Sequence, residues 1–344
     1  MSPKPCSTAA GSRPSPWATA GWRGEDGRSV QAHEGAALCA VAHPSGEGVL
    51  SGGDDGRLVW SRSSGAEVLA ELKGKWIDAV AASPASGLIA FAAGREAHLR
   101  DVADPKFSNT LLHERAAAGL AFDPKGRRLA VATYGGAALW YARIAEQRPQ
   151  LLKWAGSHIA VAFSPDGRFL VSSMQENQLH GWRLADGADM RMGGYAAKVK
   201  SMAFMEKGRL MATSGAQGAV VWPFTGSNGP MGQSAIEIGF LPGAVVTRVA
   251  GQADGSHLAA GLDDGRVWIA DLKQTGAAML KAEKGPAISA LAMSADGGRI
   301  ALGRRRGRRG GAGMGRRGPA GLTTTLIGAE HPPWPTRPTT RRRR

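Results

Sequence analysis

The chain has 344 residues, a net charge of +15 and 43% hydrophobic residues, which is enough apolar material for a large buried core. Its two cysteines, Cys6 and Cys39, exclude a disulfide framework and a cysteine-rich metal site and favour a reducing compartment. No apolar run approaches the ~20 residues that span a bilayer, and the first residues lack the apolar stretch of a secretory signal. We therefore expect a soluble, cytoplasmic monomer with no membrane partner.

A short turn motif recurs along the chain. Its clearest copy is Phe163-Ser164-Pro165-Asp166-Gly167, and the equivalent positions 44, 84, 124, 165, 206, 253 and 295 are 40 to 47 residues apart. A fixed period of this length indicates a repeat architecture. The predicted repeats, in chain order, are 32–74, 75–114, 115–156, 157–197, 198–241, 242–285, and a last one made of 286–303 plus 17–31.

The fourth repeat shows the expected local structure most clearly. The segments Ile159–Phe163, Phe169–Ser173 and Leu179–Arg183 are short runs containing β-branched or aromatic residues, which predict strands. Pro165 favours a turn after the first of them, because proline presets φ at the second turn position. A shorter, more polar fourth strand is expected near Met190. Each repeat is therefore predicted to be a four-stranded antiparallel meander.

The predicted strands are continuous apolar runs, such as residues 87–93 and Leu129–Thr133, and do not alternate between polar and apolar residues. Burial on both faces produces this pattern. A sheet stacked between two similar sheets is covered on both faces, whereas an up-and-down barrel alternates. The sequence therefore predicts an all-β propeller.

Over residues 17–303 the chain resembles the WD40 β-propeller family. The period, the Phe-Ser-Pro-Asp-Gly turn and a tryptophan near the end of the third strand all match, the tryptophans being Trp60, Trp140, Trp182 and Trp222. No repeat has both residues of the family's Trp-Asp pair, and its Gly-His pair is absent, so the resemblance is to a divergent, bacterial-type member. We therefore do not expect the family's Ser/Thr-His-Asp-Trp hydrogen-bond network to be intact.

The seven turn motifs predict a seven-bladed β-propeller of four-stranded antiparallel blades. The last repeat shows only two strands before Arg304, however, and residues 21–27 resemble residues 181–187. We therefore predict that Trp17–Arg23 and Arg28–His33 supply the outer strands of the seventh blade, which would otherwise remain incomplete.

Both chain ends differ in composition from the repeats. Residues 1–16 are expected to be a disordered N-terminus. Residues 304–344 contain twelve arginines and one acid, Glu330, and so carry +11 of the net charge. Their Arg, Gly and Pro content predicts a disordered tail. Its abrupt start within a repeat is also what a frame-shift artefact would produce. As a genuine tail it offers an alternative function, which is nucleic-acid binding through 304–344.

No catalytic, metal-binding or cofactor-binding motif is recognisable. The pairs Asp54-Asp55 and Asp263-Asp264 occupy the same turn in two repeats, where Asp-Gly is typical turn chemistry. The histidines are isolated in sequence, and no nucleophile-elbow motif occurs. We expect no enzyme activity, no cofactor and no metal. The alternative is a propeller enzyme of the hydrolase or lactonase type, with its site in the central funnel.

The resemblance implies a non-catalytic scaffold that binds a protein or peptide on the narrower face of the propeller. That face is built by the turns between the second and third strands and by the segments leading into the first strands. The predicted partner-binding residues there are Trp76, Asp78, Arg95, Glu96, Tyr134, His158, Glu176, Lys198, Lys200, Gln217 and Arg248. Trp76 is the expected anchor, because tryptophan is enriched at interface hot spots. The alternative is that Trp76 packs between blades.

Overall fold

A computed structural model describes residues 20–23, 29–274, 276–305, 322–328 and 341–342, with side chains for 30–303 apart from 275. Within these ranges the only helix is the three-residue 3-10 turn Glu206–Gly208, and no helix is long and apolar enough to cross a membrane. All strand pairs in these ranges are antiparallel, and most sheets follow chain order.

Four sheets of four or five strands have the predicted meander. The first contains β3 (Ala37–Ala42), β4 (Val49–Gly53), β5 (Arg57–Arg62) and β6 (Gly65–Glu71), and the second β7 (Ala79–Ser83), β8 (Leu88–Ala93), β9 (Glu96–Asp101) and β10 (Ser108–Leu112). Another contains β17 (Met202–Met205), β18 (Leu210–Thr213), β19 (Ala219–Pro223), β20 (Ile236–Ile238) and the added β28 (Arg341–Arg342). The fourth contains β21 (Val246–Gly251), β22 (His257–Leu262), β23 (Val267–Asp271) and β24 (Ala277–Lys281).

The third and fourth repeats are fused into one six-stranded sheet. Its strands are β11 (Gly119–Phe122), β12 (Arg128–Tyr141), β13 (Gln150–Phe163), β14 (Phe169–Met174), β15 (Leu179–Arg183) and β16 (Asp189–Met192). β12 turns back on itself at Gly135 and Gly136, which have φ of 90° and 140°. A side chain at Gly136 would collide with the carbonyl of Leu152, because its Cβ would lie 2.0 Å from that oxygen. Glycine is therefore required there.

The prediction of an all-β propeller with antiparallel four-stranded blades is confirmed, but the count of seven blades is corrected. The described residues form five sheets of four or more strands. One reason is that β13 runs for 14 residues through the predicted boundary between the third and fourth repeats. The other is that the last repeat forms a sheet of only three strands, β25 (Ile288–Met293), β26 (Arg299–Arg305) and β27 (Leu322–Gly328).

The predicted closure of the last repeat is also corrected. The strand paired with β26 is β27, in a register that runs from Arg299 opposite Gly328 to Arg305 opposite Leu322. The N-terminal segments form their own hairpin, β1 (Ala20–Arg23) with β2 (Ser29–His33), which lies beside β27 through β1 and beside β5 through β2. Residues 17–19 and 24–28 lie outside the described residues, as does the predicted disordered segment 1–16.

The prediction that residues 304–344 form a disordered tail is wrong for the parts that the structure describes. β26 continues to Arg305, β27 completes the last sheet, and Arg341–Arg342 pairs with the outer edge of β20. The reason for β27 is local. Residues 322–328 read Leu-Thr-Thr-Thr-Leu-Ile-Gly, which is rich in β-branched residues, although the composition of the whole segment resembles that of a disordered chain.

The first strands of neighbouring sheets lie side by side, β3 beside β7, β7 beside β11, β17 beside β21, and β21 beside β25, and within the six-stranded sheet β11 also contacts β13. Apolar side chains fill the space between the sheets. Between the first two sheets, for example, Leu50, Leu58, Ile77, Ile89 and Phe91 form one buried cluster. Such close packing makes the array rigid, so the loops at its ends are held in fixed positions.

Candidate binding face

One end of the array, called the upper face below, is built by two sets of loops. These are the turns between the second and third strands of each repeat and the segments that lead into the first strands. Backbone hydrogen bonds join the two sets: Ile77 N donates to Gly53 O (3.0 Å), Ala117 N to Gly94 O (2.8 Å), Gln175 N to Ser157 O (2.8 Å) and Gly285 N to Asp264 O (2.7 Å). The loops that the sequence assigned to a single face therefore do share one.

The carboxylate pair of the first repeat holds the upper face together. Ala36 N donates to Asp54 Oδ1 (2.7 Å), which fixes the segment that leads into β3. Asp55 accepts from Arg57 N (3.1 Å) within its own turn, and its Oδ1 lies 3.0 Å from His33 Nδ1. These contacts are the structural role that the turn chemistry predicts.

The equivalent pair in a later repeat has the same role. Val245 N donates to Asp263 Oδ1 (2.9 Å), and Arg266 lies 2.7 Å from Asp264 Oδ2 in an ion pair. The two repeats thus use their first aspartate to hold the segment that leads into their own first strand, and their second aspartate to stabilise the turn. In the described residues no group of three or more His, Cys, Asp or Glu side chains is arranged to hold a metal ion.

Around Trp76 the upper face combines an aromatic ring with paired charges. The Trp76 side chain is 64% exposed, so it does not pack between sheets as the alternative interpretation required. Next to it, Lys75 Nζ lies 2.6 Å from Glu96 Oε2, and this hydrogen bond lowers the pKa of Glu96. Asp78 is solvent-accessible, but the surrounding protein desolvates its carboxyl and raises its pKa. Arg95 is exposed in the adjacent turn.

Tyr134 and Glu176 form a second cluster on the upper face. Tyr134 is 65% exposed and is the register partner of Ser157, where β12 meets β13. Ser157 N in turn donates to Glu176 Oε1 (3.3 Å), so the predicted residues Tyr134 and Glu176 lie on either side of the same residue. The structure therefore brings together two side chains that are 42 positions apart in the chain.

The prediction that His158 is a partner-binding residue is wrong. Its side chain is completely buried, with Nδ1 2.7 Å from Ser172 Oγ and Nε2 3.0 Å from the carbonyl oxygen of Trp154. The physical reason is that the side chain of a residue leading into a first strand can point either outward or into its own sheet. Here the hydroxyl of Ser172 on β14 offers a polar partner inside the sheet.

The remaining predicted residues lie on the other side of the upper face. Lys198, Gln217 and Arg248 are half-buried, and Lys200 is exposed. The carbonyl of Gln217 accepts from Leu241 N (3.2 Å), and Arg248 Nη1 donates to the carbonyl of Thr247 (2.9 Å).

Several buried hydrogen-bond networks link first-strand segments to second and third strands. In the first repeat, His33 Nε2 lies 2.8 Å from Ser51 Oγ, and His33 also contacts Asp55. In the fifth, Trp222 Nε1 donates to Tyr195 Oη (2.6 Å), and Tyr195 Oη lies 2.7 Å from Thr213 Oγ1.

A third such network lies in the third repeat, where Trp140 Nε1 donates to His113 Nε2 (3.0 Å). In each case the segment that precedes a first strand provides the aromatic or imidazole side chain, and a later strand of the sheet that follows this segment provides its partner.

Residues 151–183 match the family model of the WD domain, G-beta repeat. This segment covers nearly all of β13 and the whole of β14 and β15. The chain therefore contains a segment that matches a WD40 repeat, within a β-propeller fold. No match is found among curated proteins.

Solved WD40 structures have a similar fold. The crystal structure of the RRP9 WD40 repeats superposes with a TM-score of 0.64 at 14% identity, covering 88% of this chain and 96% of that chain. The structure of U3-55K gives a TM-score of 0.62 at 14% identity, covering 88% and 98%. At this identity the likeness shows the fold.

The WD40 hydrogen-bond network is present in pieces that the sequence did not reveal. The first repeat has the His, Ser and Asp members as His33, Ser51 and Asp55, and the third repeat has only the His and Trp members. In the fifth repeat Tyr195 occupies the place of the histidine. A sequence search for a Gly-His pair cannot find Tyr195. A search for His or Tyr about 18 positions before a Ser or Thr of the second strand would find this member of the network.

Replacing Tyr195 by Phe tests whether this substitute network stabilises the fifth repeat. Loss of the hydroxyl leaves Trp222 Nε1 without its partner, whereas Thr213 Oγ1 keeps its hydrogen bond to Val220 O, and an unsatisfied buried polar group costs about 1–3 kcal/mol. We expect the free energy of unfolding, measured by urea denaturation, to fall by about 2 kcal/mol. Tyr134→Phe is the matched control, because Tyr134 is exposed. Equal stability of the two variants would contradict the prediction.

Proposed function

We propose that this propeller is a non-catalytic scaffold that binds a protein or peptide partner on its upper face. The observation that carries the proposal is the exposure of two large aromatic side chains there, Trp76 (64%) and Tyr134 (65%), on loops fixed by the stacked sheets. Exposed aromatics on rigid loops bury a large area at little entropic cost when a partner binds, which is why interface hot spots favour Trp and Tyr.

The charged groups beside these rings support the same function. The two rings are surrounded by side chains of both charges, which is the usual composition of an interface rim. These side chains are Lys75, Asp78, Arg95, Glu96 and Glu176. The paired aspartates, which are the candidates for acid–base chemistry, instead accept hydrogen bonds from backbone amides, as Asp54 and Asp263 show. The scaffold function therefore fits this surface better than a hydrolase or lactonase function does.

The test is differential capture of proteins from an extract of the native cells, with the purified full-length chain immobilised. Trp76→Ala combined with Tyr134→Ala should reduce the amount of a specifically retained protein by at least about tenfold, because hot-spot aromatics each contribute 2 kcal/mol or more. The matched control is Tyr141→Ala combined with Ile144→Ala. Tyr141 is at the opposite end of β12, and both control side chains are also exposed.

The proposal fails if the upper-face variant and the control retain the same proteins in the same amounts. A substrate turned over by the wild-type chain and by the upper-face variant would instead favour the enzyme alternative. Retention of nucleic acid that is lost when residues 304–344 are removed would favour the nucleic-acid alternative, and this retention should weaken steeply with salt.

A further inference from the structure

Cations converge on the part of the upper face opposite Trp76. Ser201, which follows Lys200, uses its side-chain oxygen to donate to Val249 O (3.2 Å) and to accept from Val249 N (3.1 Å). Val249 follows Arg248 directly. The backbones of Lys200 and Arg248 are therefore neighbours, although the two residues are 48 positions apart in the chain.

The same line of contacts continues in both directions. Ala197 N donates to Gly215 O (2.9 Å), and Gly215 N donates to Val246 O (2.9 Å), which ties the segment before Lys198 to the start of β21. On the other side, Thr247 Oγ1 donates to Ile288 O (2.7 Å), and Ile288 is the register partner of Arg304.

Lys198, Lys200 and Arg248 thus follow one another along two adjacent sheets, and they are called the cationic arc below. The two segments that form its inner edge, 197–201 and 244–249, contain no acidic residue. The acids of the neighbouring turn, Asp263 and Asp264, are held by Val245 N and by Arg266.

The rest of the upper face has a different charge pattern. Around Trp76 the acids Glu34, Asp54, Asp55, Asp78 and Glu96 alternate with cations, and Lys75–Glu96 and Arg57–Glu34 are ion pairs of 2.6 and 2.8 Å. A long polyanion lying across the whole face would meet these carboxylates. A short acidic segment that is confined to the arc would not.

We propose that the cationic arc binds an acidic segment of the partner protein while Trp76 and Tyr134 bind its apolar side chains. This inference rests on the proposed function and adds the chemistry of the ligand. Complementary charge across an interface steers association and sets the orientation of the partner, and its effect weakens as salt increases.

Binding of a fluorescein-labelled octaglutamate peptide, measured by fluorescence anisotropy with the full-length chain, tests the arc. The wild type should bind it, more weakly at high salt, and Lys198→Glu combined with Lys200→Glu should weaken binding by at least about tenfold, because two favourable charges become unfavourable. The charge-matched control is Lys106→Glu combined with Lys125→Glu. These exposed lysines lie in turns at the opposite end of the array, and this variant should bind as the wild type does.

Three outcomes would overturn the inference: no binding by the folded wild type, equal loss in the two double variants, or tighter binding of a labelled oligothymidine that is lost with Lys198 and Lys200. The last would assign the arc to nucleic acid. The melting temperature of each variant shows whether it is folded, and Lys198→Ala with Lys200→Ala replaces the charge reversal if that variant unfolds. Loss of the captured protein in the Trp76 variant but not in the lysine variant would leave the proposed function standing and remove only this inference.

Discussion

The free energy of unfolding of this propeller should fall steeply as the pH is lowered from 7.5 to about 4.5, a range that covers the ordinary titration of histidine. Burial lowers the pKa of His43, His98, His113, His158 and His180 below the ordinary value of 6.5. In the unfolded chain these imidazoles take up protons below pH 6.5, but in the folded chain they resist protonation. The stability that they give is therefore fully present above pH 6.5 and is lost as the pH falls toward their folded pKa values.

His180 should make the largest single contribution. Its ring is buried, neither ring nitrogen has a hydrogen-bond partner among the described residues, and it stacks on Trp154 with centroids 4.0 Å apart. Burial lowers its pKa to about 4, with smaller effects from Asp189, which raises the pKa, and from His158 and Arg191, which lower it. At about 1.4 kcal/mol per pH unit, the interval from 6.5 to about 4 corresponds to about 3 kcal/mol.

The measurement is urea denaturation of the wild type and of His180→Phe at several pH values within this range. Phenylalanine keeps an aromatic ring against Trp154 and removes two buried nitrogens that have no partner, so the variant should be at least as stable as the wild type at pH 7.5. Its stability should then fall less at low pH, by about 2–3 kcal/mol. Parallel pH profiles would contradict the assignment to His180.

Other groups limit the useful pH range. Carboxylates with lowered pKa values stabilise the folded state when ionised, and this stabilisation is lost at a lower pH than that of the histidines. For example, the hydrogen bond from Arg183 lowers the pKa of Asp186 to about 2. Asp78 has the opposite sign, because desolvation raises its pKa and protonation then favours the folded state. Remaining above pH 4.5 keeps most carboxylates ionised, so the histidines dominate the profile.

The sequence predicts the repeat, the strand type and the turn chemistry well, because each depends on local physics. Pro165 and Gly167 specify their turn without reference to the rest of the molecule. The hydrogen bond from Ala36 N to Asp54 has its equivalent in the bond from Val245 N to Asp263, so the same turn chemistry accounts for both. The position of Trp76 on the upper face also follows from the repeat, since it lies in the segment that leads into the first strand β7.

What the sequence did not predict depends on contacts between distant segments. His158 and Trp76 both lead into first strands, yet His158 is buried because Ser172 offers it a partner, and Trp76 is exposed. Tyr195 takes the place of a histidine because its hydroxyl contacts both Trp222 and Thr213. The two residue types differ, but their polar atoms occupy equivalent positions. The pairing of β26 with β27 joins segments separated by a stretch whose composition indicates disorder.

Removing residues 306–344 should destabilise the propeller strongly. The truncation deletes β27, whose register with β26 covers Arg299 to Arg305, and leaves the edge of β26 open next to the buried Ile300 and Leu302. An open edge with apolar neighbours favours association with other chains. We expect the melting temperature to fall by about 5 °C or more, which for a domain of this size corresponds to a loss of a few kcal/mol, and light scattering should show aggregates.

Removing only residues 329–344 is the matched control, because this chain keeps β27 and loses β28 together with the terminal arginines. Its melting temperature should remain close to that of the full-length chain, since Arg341–Arg342 forms only two register pairs with β20. If both truncated chains melt like the full-length chain, β27 does not stabilise the last sheet. The N-terminal hairpin, whose β1 already lies beside β27, would then be the segment that can close the ring.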